Sequence, residues 1–323
     1  MTNSSGASDQ AIPLPQGGGA MRGIGETFSP DLFTGTGNFR VPLSIPAGRN
    51  NFQPDLALVY SSGNGNGPYG LGWNLSIPGI SRKTDKGIPR YDENDTFVLS
   101  GAEDLVPVGG NEGDGRRYRP RTEGLFAEIR HLRDDGNDYW RVKTKDGLIH
   151  LYGTPRPAAA PADWRDPAII ADADDPRRIC TWQLTSSVDP FGNRIEYRYT
   201  TSPVEEPARR PNQLYLAEIR YLDYGPASAP SFLVRVAFAY SQRPDPFSHY
   251  RSGFELRTTL RCTQIAVTTQ PGATQRVRTY HLDYLDQRGA DVAGLPPNRV
   301  SLLSRVRVEG HDGEQSEWLP PLE

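Results

Sequence analysis

Apolar and polar side chains alternate along much of this chain, the period expected of a strand with one face buried. Phe39, Val41, Leu43 and Ile45 alternate with Arg40, Pro42 and Ser44, and the prolines suggest an edge strand. The pattern returns at Leu56, Leu58 and Tyr60. Trp140, Val142 and Thr144 precede an Asp146-Gly147 turn, and Leu148 to Tyr152 follow it, which predicts a hairpin. Ile195, Tyr197 and Tyr199 alternate with Arg194, Glu196 and Arg198; Val234, Val236, Phe238 and Tyr240 alternate with Arg235, Ala237 and Ala239. Three more stretches, 254–267, 276–285 and 300–308, are rich in β-branched, aromatic and arginine residues. No comparable run has helical spacing. The expected fold is therefore all-β, with long antiparallel strands in curved sheets. Long loops are expected at Thr154 to Arg177, Ser202 to Asn212, Gln242 to Ser252 and Gln287 to Asn298. Residues 1–20 are polar and glycine-rich and read as a disordered tail. Residues 21–323 read as one β module, with a sub-division near residue 155 as the alternative.

Composition sharpens this picture. The 33 Gly and 29 Pro disfavour long helices, because glycine costs backbone entropy there and proline removes a donor. A formal net charge of -3 gives no global attraction for nucleic acid or an anionic membrane. Cys180 and Cys262 are too few for a disulfide scaffold and are expected as free thiols packed in strands. Met1 to Gln10 has neither the basic start nor the apolar stretch of a cleavable secretory leader. No segment approaches the roughly 20 apolar residues of a membrane helix, so membrane insertion by this chain is not expected.

From Leu14 to Arg49 the chain reads LPQGGGAMRGIGETFSPDLFTGTGNFRVPLSIPAGR. PDLALVYSSG (Pro54 to Gly63), GNGPYGLGW (Gly65 to Trp73), ISRKTDKGIP (Ile80 to Pro89) and LSGAEDLV (Leu99 to Val106) follow in order. These strings resemble the SpvB N-terminal domain family, densely to about Val108 and more loosely to the end. That family opens Salmonella SpvB and the B component (TcB/TcaC-like) of bacterial insecticidal toxin complexes. DPFGNRIEYRY, from Asp189 to Tyr199, also resembles one degenerate YD repeat of Rhs proteins.

The resemblance implies an Rhs-type shell fragment: a non-catalytic wall segment that helps encapsulate a toxic C-terminal polypeptide for delivery into host cells. The implied partners are a C component carrying that polypeptide and a channel-forming A component. The A component would be reached through sequence after residue 323, where Leu319 to Glu323 reads as a cut. It further implies synthesis in the bacterial cytoplasm and work outside the cell. Two other functions compete. One is a carbohydrate- or host-surface-binding module using exposed aromatics such as Trp164. The other is the N-terminal part of an ADP-ribosylating toxin whose catalytic domain is absent.

Gly65-Asn66-Gly67-Pro68-Tyr69-Gly70 fits GxGxxG, but a phosphate loop needs a helix directly after it, and Leu71 to Pro78 continues as glycine-rich strand. Tight turns and an aromatic corner with Tyr69 and Trp73 explain these glycines better. Asp172, Asp174 and Asp175, like Asp92, Glu93 and Asp95, lack calcium-loop spacing and read as solvated loop acids. His131, His150, His249, His281 and His311 are scattered, with no metal-ligand spacing. No GxSxG elbow is present. Thr185-Ser186-Ser187 and Glu314-Gln315-Ser316-Glu317 do not match the motifs of an ADP-ribosyltransferase. Arginine interleaves with aromatics at Arg194, Tyr197, Arg198 and Tyr199 and at Arg220, Tyr221 and Tyr224, which cross-strand pairing explains better than base stacking. No catalytic, cofactor or metal residue is nominated, and nucleic acid is not an expected partner.

Overall fold

The computed structural model describes residues 25–31, 35–92, 94–99, 103–111, 115–122, 124–134, 136–203, 212–270, 274–288 and 295–323. The expected tail at 1–20 lies outside them, as do Glu93, most of Ser202 to Asn212 and part of Gln287 to Asn298. The fold is all-β, and its only helical segments among the described residues are single 3-10 turns at Arg49–Asn51 and Leu285–Gln287. Six short strands come first: β1 (Thr27–Asp31), β2 (Thr36–Pro42), β3 (Ala57–Ser61), β4 (Asn66–Gly67), β5 (Gly70–Leu71) and β6 (Trp73–Leu75). Nine follow: β7 (Gly79–Arg82), β8 (Phe97–Leu99), β9 (Glu103–Asn111), β10 (Arg116–Pro120), β11 (Glu128–Asp134), β12 (Asn137–Lys143), β13 (Ile149–Tyr152), β14 (Ile169–Ala171) and β15 (Ile179–Val188). The last seven are mostly long: β16 (Arg194–Thr201), β17 (Leu214–Tyr224), β18 (Ser231–His249), β19 (Leu256–Thr269), β20 (Gln275–Tyr284), β21 (Leu303–Asp312) and β22 (Gln315–Trp318).

Strands β7 to β13 are joined in order, and β15 pairs with both β13 and β7, so eight strands close into a barrel. Alternation sends Ile80, Phe97, Tyr118, Ile129, His131, Trp140, Val142 and Trp182 inward and leaves Arg117, Arg119 and Lys143 in solvent. The interior is aromatic. Phe97 meets Trp140 edge-on at 4.8 Å, and His131 stacks flat on Trp140 at 4.1 Å. Arg82 also points inward, and its charge is compensated there by Asp95 at 2.7 Å, the Ile179 carbonyl at 2.8 Å and the Phe97 ring at 4.9 Å. The expected hairpin at 140–152 is β12–β13, with Trp140 opposite Tyr152.

Strand β15 belongs to two structures at once. Its first half pairs with β7 and β14, its second half with β13 and β16, and from β16 the sheet runs in sequence order to β22. One face of this long sheet carries Tyr197, Ile219, Tyr221, Val236, Ile265, Tyr280 and Tyr284. They form one apolar cluster with Val41, Leu43, Leu58 and Leu75 of the four-stranded sheet β1-β2-β3-β6. Main-chain groups seal the junction. The Ser44 N–H donates to the Tyr280 hydroxyl at 2.6 Å, the Tyr221 hydroxyl donates to the Pro46 carbonyl at 2.5 Å, and the Cys262 N–H donates to the Pro68 carbonyl at 2.8 Å. Of the GxGxxG glycines, Gly70 serves close approach: it has φ +91°, and a Cβ there would lie 2.7 Å from the Ser301 carbonyl oxygen. Both cysteines are free and buried, in β15 and β19.

Three expected elements differ, the first in that β14 interrupts the expected Thr154 to Arg177 loop. The strand at Phe39 to Ile45 is internal, because β2 is flanked by β1 and β3. Its Pro42 is tolerated because pairing with β1 already ends at Arg40. The stretch Gln242 to Ser252 is largely strand: β18 runs to His249, and its register against β19 jumps between Gln242 and Phe247. Pro244 and Pro246 lie inside that bulge, where no ladder bond is asked of them.

Candidate interaction surfaces

Alternation splits the interleaved arginines and tyrosines between two faces. Tyr197 and Tyr221 face the apolar cluster, whereas the arginines stand on the opposite, uncovered face. There Arg220 meets Glu196 and Arg235 meets Glu218, each at 2.5 Å, while Arg198 lies 3.7 Å from Glu218 and Arg194 3.9 Å from Glu196. A second group spans β20 and β21. Arg307 grips Asp283 at 2.5 Å and holds its carboxyl below the usual carboxylate range. Glu309 lies 3.3 Å from His281 and 3.7 Å from His311, so two histidines that look scattered in sequence share one acid. Ion pairs on a partly exposed face contribute on the order of 1 kcal/mol each. Their effect is to make this face polar and self-neutralised.

The sheet ends at β22, all four residues of which are exposed. The chain beyond it stays on β21, with the Leu319 N–H donating to the Val308 carbonyl and the Leu322 N–H to the Val306 carbonyl. No strand among the described residues covers the outer side of β22. Trp318 is about half exposed and rests over Arg307 at 5.1 Å.

A groove of about 1220 Å³ lies between the β11–β12 turn, the 162–177 loop and the facing ends of β16 and β17. Trp164, expected in the open, is partly buried in its wall. The acids expected as solvated loop groups serve structure instead, and two of them, Asp95 and Asp172, are largely buried in ion pairs. Asp138 accepts from the Trp182 indole at 3.0 Å and lies 2.7 Å from His131, and Asp172 pairs with Arg178 at 2.6 Å. Burial pushes the Asp166 carboxyl up, against hydrogen bonds from the Thr154 and Ala168 N–H groups. Asp175 holds Arg177, and Asp174 donates its N–H to Asp172; Asp92 caps Asn94, and Asp95 holds Arg82. Among the described residues, no three His, Cys, Asp or Glu side chains are placed to share a metal ion. His131 is enclosed in the barrel, and His150 shares a 2.8 Å hydrogen bond with Ser187.

Comparison with known proteins agrees with this architecture. A family model described as SpvB, Salmonella virulence plasmid 65kDa B protein, matches residues 32–221 and 204–269. Among curated proteins the chain is 29% identical over 311 residues to the mono(ADP-ribosyl)transferase SpvB of Salmonella typhimurium, covering 78% of this chain and 49% of that protein. The chain thus spans about half the length of the curated relatives it matches. Among solved structures, the crystal structure of TcdB2-TccC3 has a TM-score of 0.79 at 27% identity, over 96% of this chain and 17% of that one. The N-terminal domain of the effector SpvB from Salmonella typhimurium strain LT2 has a TM-score of 0.69 at 25% identity, over 84% of this chain and 99% of that one. The Photorhabdus luminescens Tc holotoxin pore has a TM-score of 0.77 at 27% identity, over 99% of this chain and 17% of that one.

Proposed function

Because the chain belongs to the SpvB family, we propose that it is a non-catalytic wall module of a toxin-complex shell that encloses a toxic polypeptide. The observation carrying this reading is the long sheet itself. One face is sealed by the chain's own N-terminal strands, while the other is left open, polar and charge-balanced. Such a face suits a wall, since it needs no second apolar layer and offers little for an unfolded chain to stick to. The likeness to TcdB2-TccC3 across nearly the whole chain supports the same reading.

The name mono(ADP-ribosyl)transferase belongs to relatives twice as long, and the solved SpvB N-terminal domain is matched over 99% of its length, so no catalysis is assigned to this chain. We take residues 21–323 as one module, because β15 is built into both barrel and long sheet. The partners in this reading are a C component carrying the toxic polypeptide and a channel-forming A component. The working place is outside the bacterium that makes it in its cytoplasm.

The test is a chimera in which this chain replaces the matching segment of TcdB2 in complex with TccC3, subjected to limited proteolysis. Protection of the TccC3 C-terminal segment, lost when the segment is deleted, is the expected result. A folded chimera that leaves that segment as cleavable as the deletion does would overturn the reading.

A further inference from the structure

A second, smaller cleft of about 460 Å³ opens where the glycine-rich loop meets the end of β18. Its size is at the lower end for ligand pockets, which suits a single sugar ring better than a peptide. Trp73 and Phe247 supply aromatic surface, and both are held in place: Trp73 by Phe39 at 6.2 Å and Tyr60 at 5.4 Å, Phe247 by the Arg243 guanidinium at 4.8 Å. The backbone at Gly65 is open, with nothing within 4 Å of where a Cβ would stand, so a ligand can approach the main chain closely.

The polar groups are unequally used. Asn66 is consumed by Arg243 and Asp245. The exposed Arg251, by contrast, has no ion pair among the described residues. Its free guanidinium favours a carboxylate, which it can engage with two parallel hydrogen bonds.

From this combination we propose that the cleft binds an acidic sugar residue of the hexuronate kind. The ring's apolar face lies on Phe247 and its carboxylate on Arg251. This role is independent of the wall reading, since a wall needs no such cleft and the cleft needs no shell.

The test is titration of the folded chain with D-glucuronate, D-glucose and acetate, followed by tryptophan fluorescence and calorimetry. Saturable glucuronate binding is expected, with glucose roughly tenfold weaker and acetate weaker still. Arg251→Glu, at an exposed position, should reduce glucuronate affinity at least about tenfold while leaving the melting curve unchanged. Phe247→Ala should weaken both sugars. The absence of saturable glucuronate binding tighter than about 10 mM, or binding that survives Arg251→Glu, would overturn the proposal.

Discussion

The barrel and the long sheet solve one problem in opposite ways. Both are antiparallel and alternate inside and outside residues, yet the barrel removes its edges by closing on itself, whereas the long sheet keeps an edge at β22 and borrows a cover from the N-terminus. Closure demands that the interior be filled from within, and eight short strands do it with large rings: Phe97, Tyr118, His131, Trp140 and Trp182. Covering demands complementarity between distant parts of the chain, and here tyrosine hydroxyls and a buried ionic clasp do the joining. Arg243 and Asp245 are fully and nearly fully enclosed at 2.9 Å. Together they tie Asn66, Gly67 and Ser301 to the bulge of β18. The lesson is that the barrel is filled by its own rings, whereas the long sheet adds remote polar joints to an apolar seal.

The largest expected effect probes the barrel. Trp140→Ala should cost about 4 kcal/mol in denaturant unfolding, and hydrogen exchange should show protection falling across β7 to β13 more than across β18 to β20. The clasp comes next. Asp245→Asn strands the Arg243 charge and should cost about 3 kcal/mol, with protection lost first around residues 64–72. Burial pushes the Asp245 carboxyl up, but hydrogen bonds from Arg243, Ser301 and Asn66 outweigh it and hold the group at about 2. Its contribution is therefore complete above the unfolded value near 4 and disappears as pH falls toward 2, a slope that Asp245→Asn should flatten.

Milder acid separates the two regions the other way. Burial keeps the His131 imidazole below its ordinary range, against the pull of Asp138. The neutral ring thus stabilises the barrel above the unfolded value of about 6.5 and ceases to do so as pH drops through the lowered one. Thermal melts between pH 7 and 5 should show this loss, and His131→Gln should reduce it to the part contributed by the likewise lowered His150. The smallest effect belongs to the uncovered face. Glu218→Gln should cost no more than about 1 kcal/mol, and added salt should shrink the difference between variant and parent.

Much of this contrast is readable in the sequence, and the unreadable part has a physical origin. Period-two alternation identifies β3, β12, β13, β16 and β18 directly, because a half-buried strand must alternate. The same alternation assigns Tyr197 and Arg198 to opposite faces. Barrel closure is not readable. It depends on Trp182 meeting Ile80 about a hundred residues earlier, and nothing in either local segment announces that register. The bulge of β18 was hidden by Pro244 and Pro246, which look like loop signals although they sit where the ladder opens. The cleft beside Arg251 escaped because its walls, 64–74 and 247–251, become neighbours only after the cover sheet has docked. The pairing of His281 with Glu309 follows from the β20–β21 register, a hairpin whose long connection gave no turn signal.

The joining of Ser44 to Tyr280 spans 236 positions of chain, and this has a consequence for how the molecule is made. Synthesis delivers the cover sheet first and the surface that it covers last. Val41 and Leu58 must therefore wait, apolar and unshielded, while the barrel folds and the ribosome works through β17 to β20. A chain halted before β20 would carry a sticky sheet whose partner surface is not yet made.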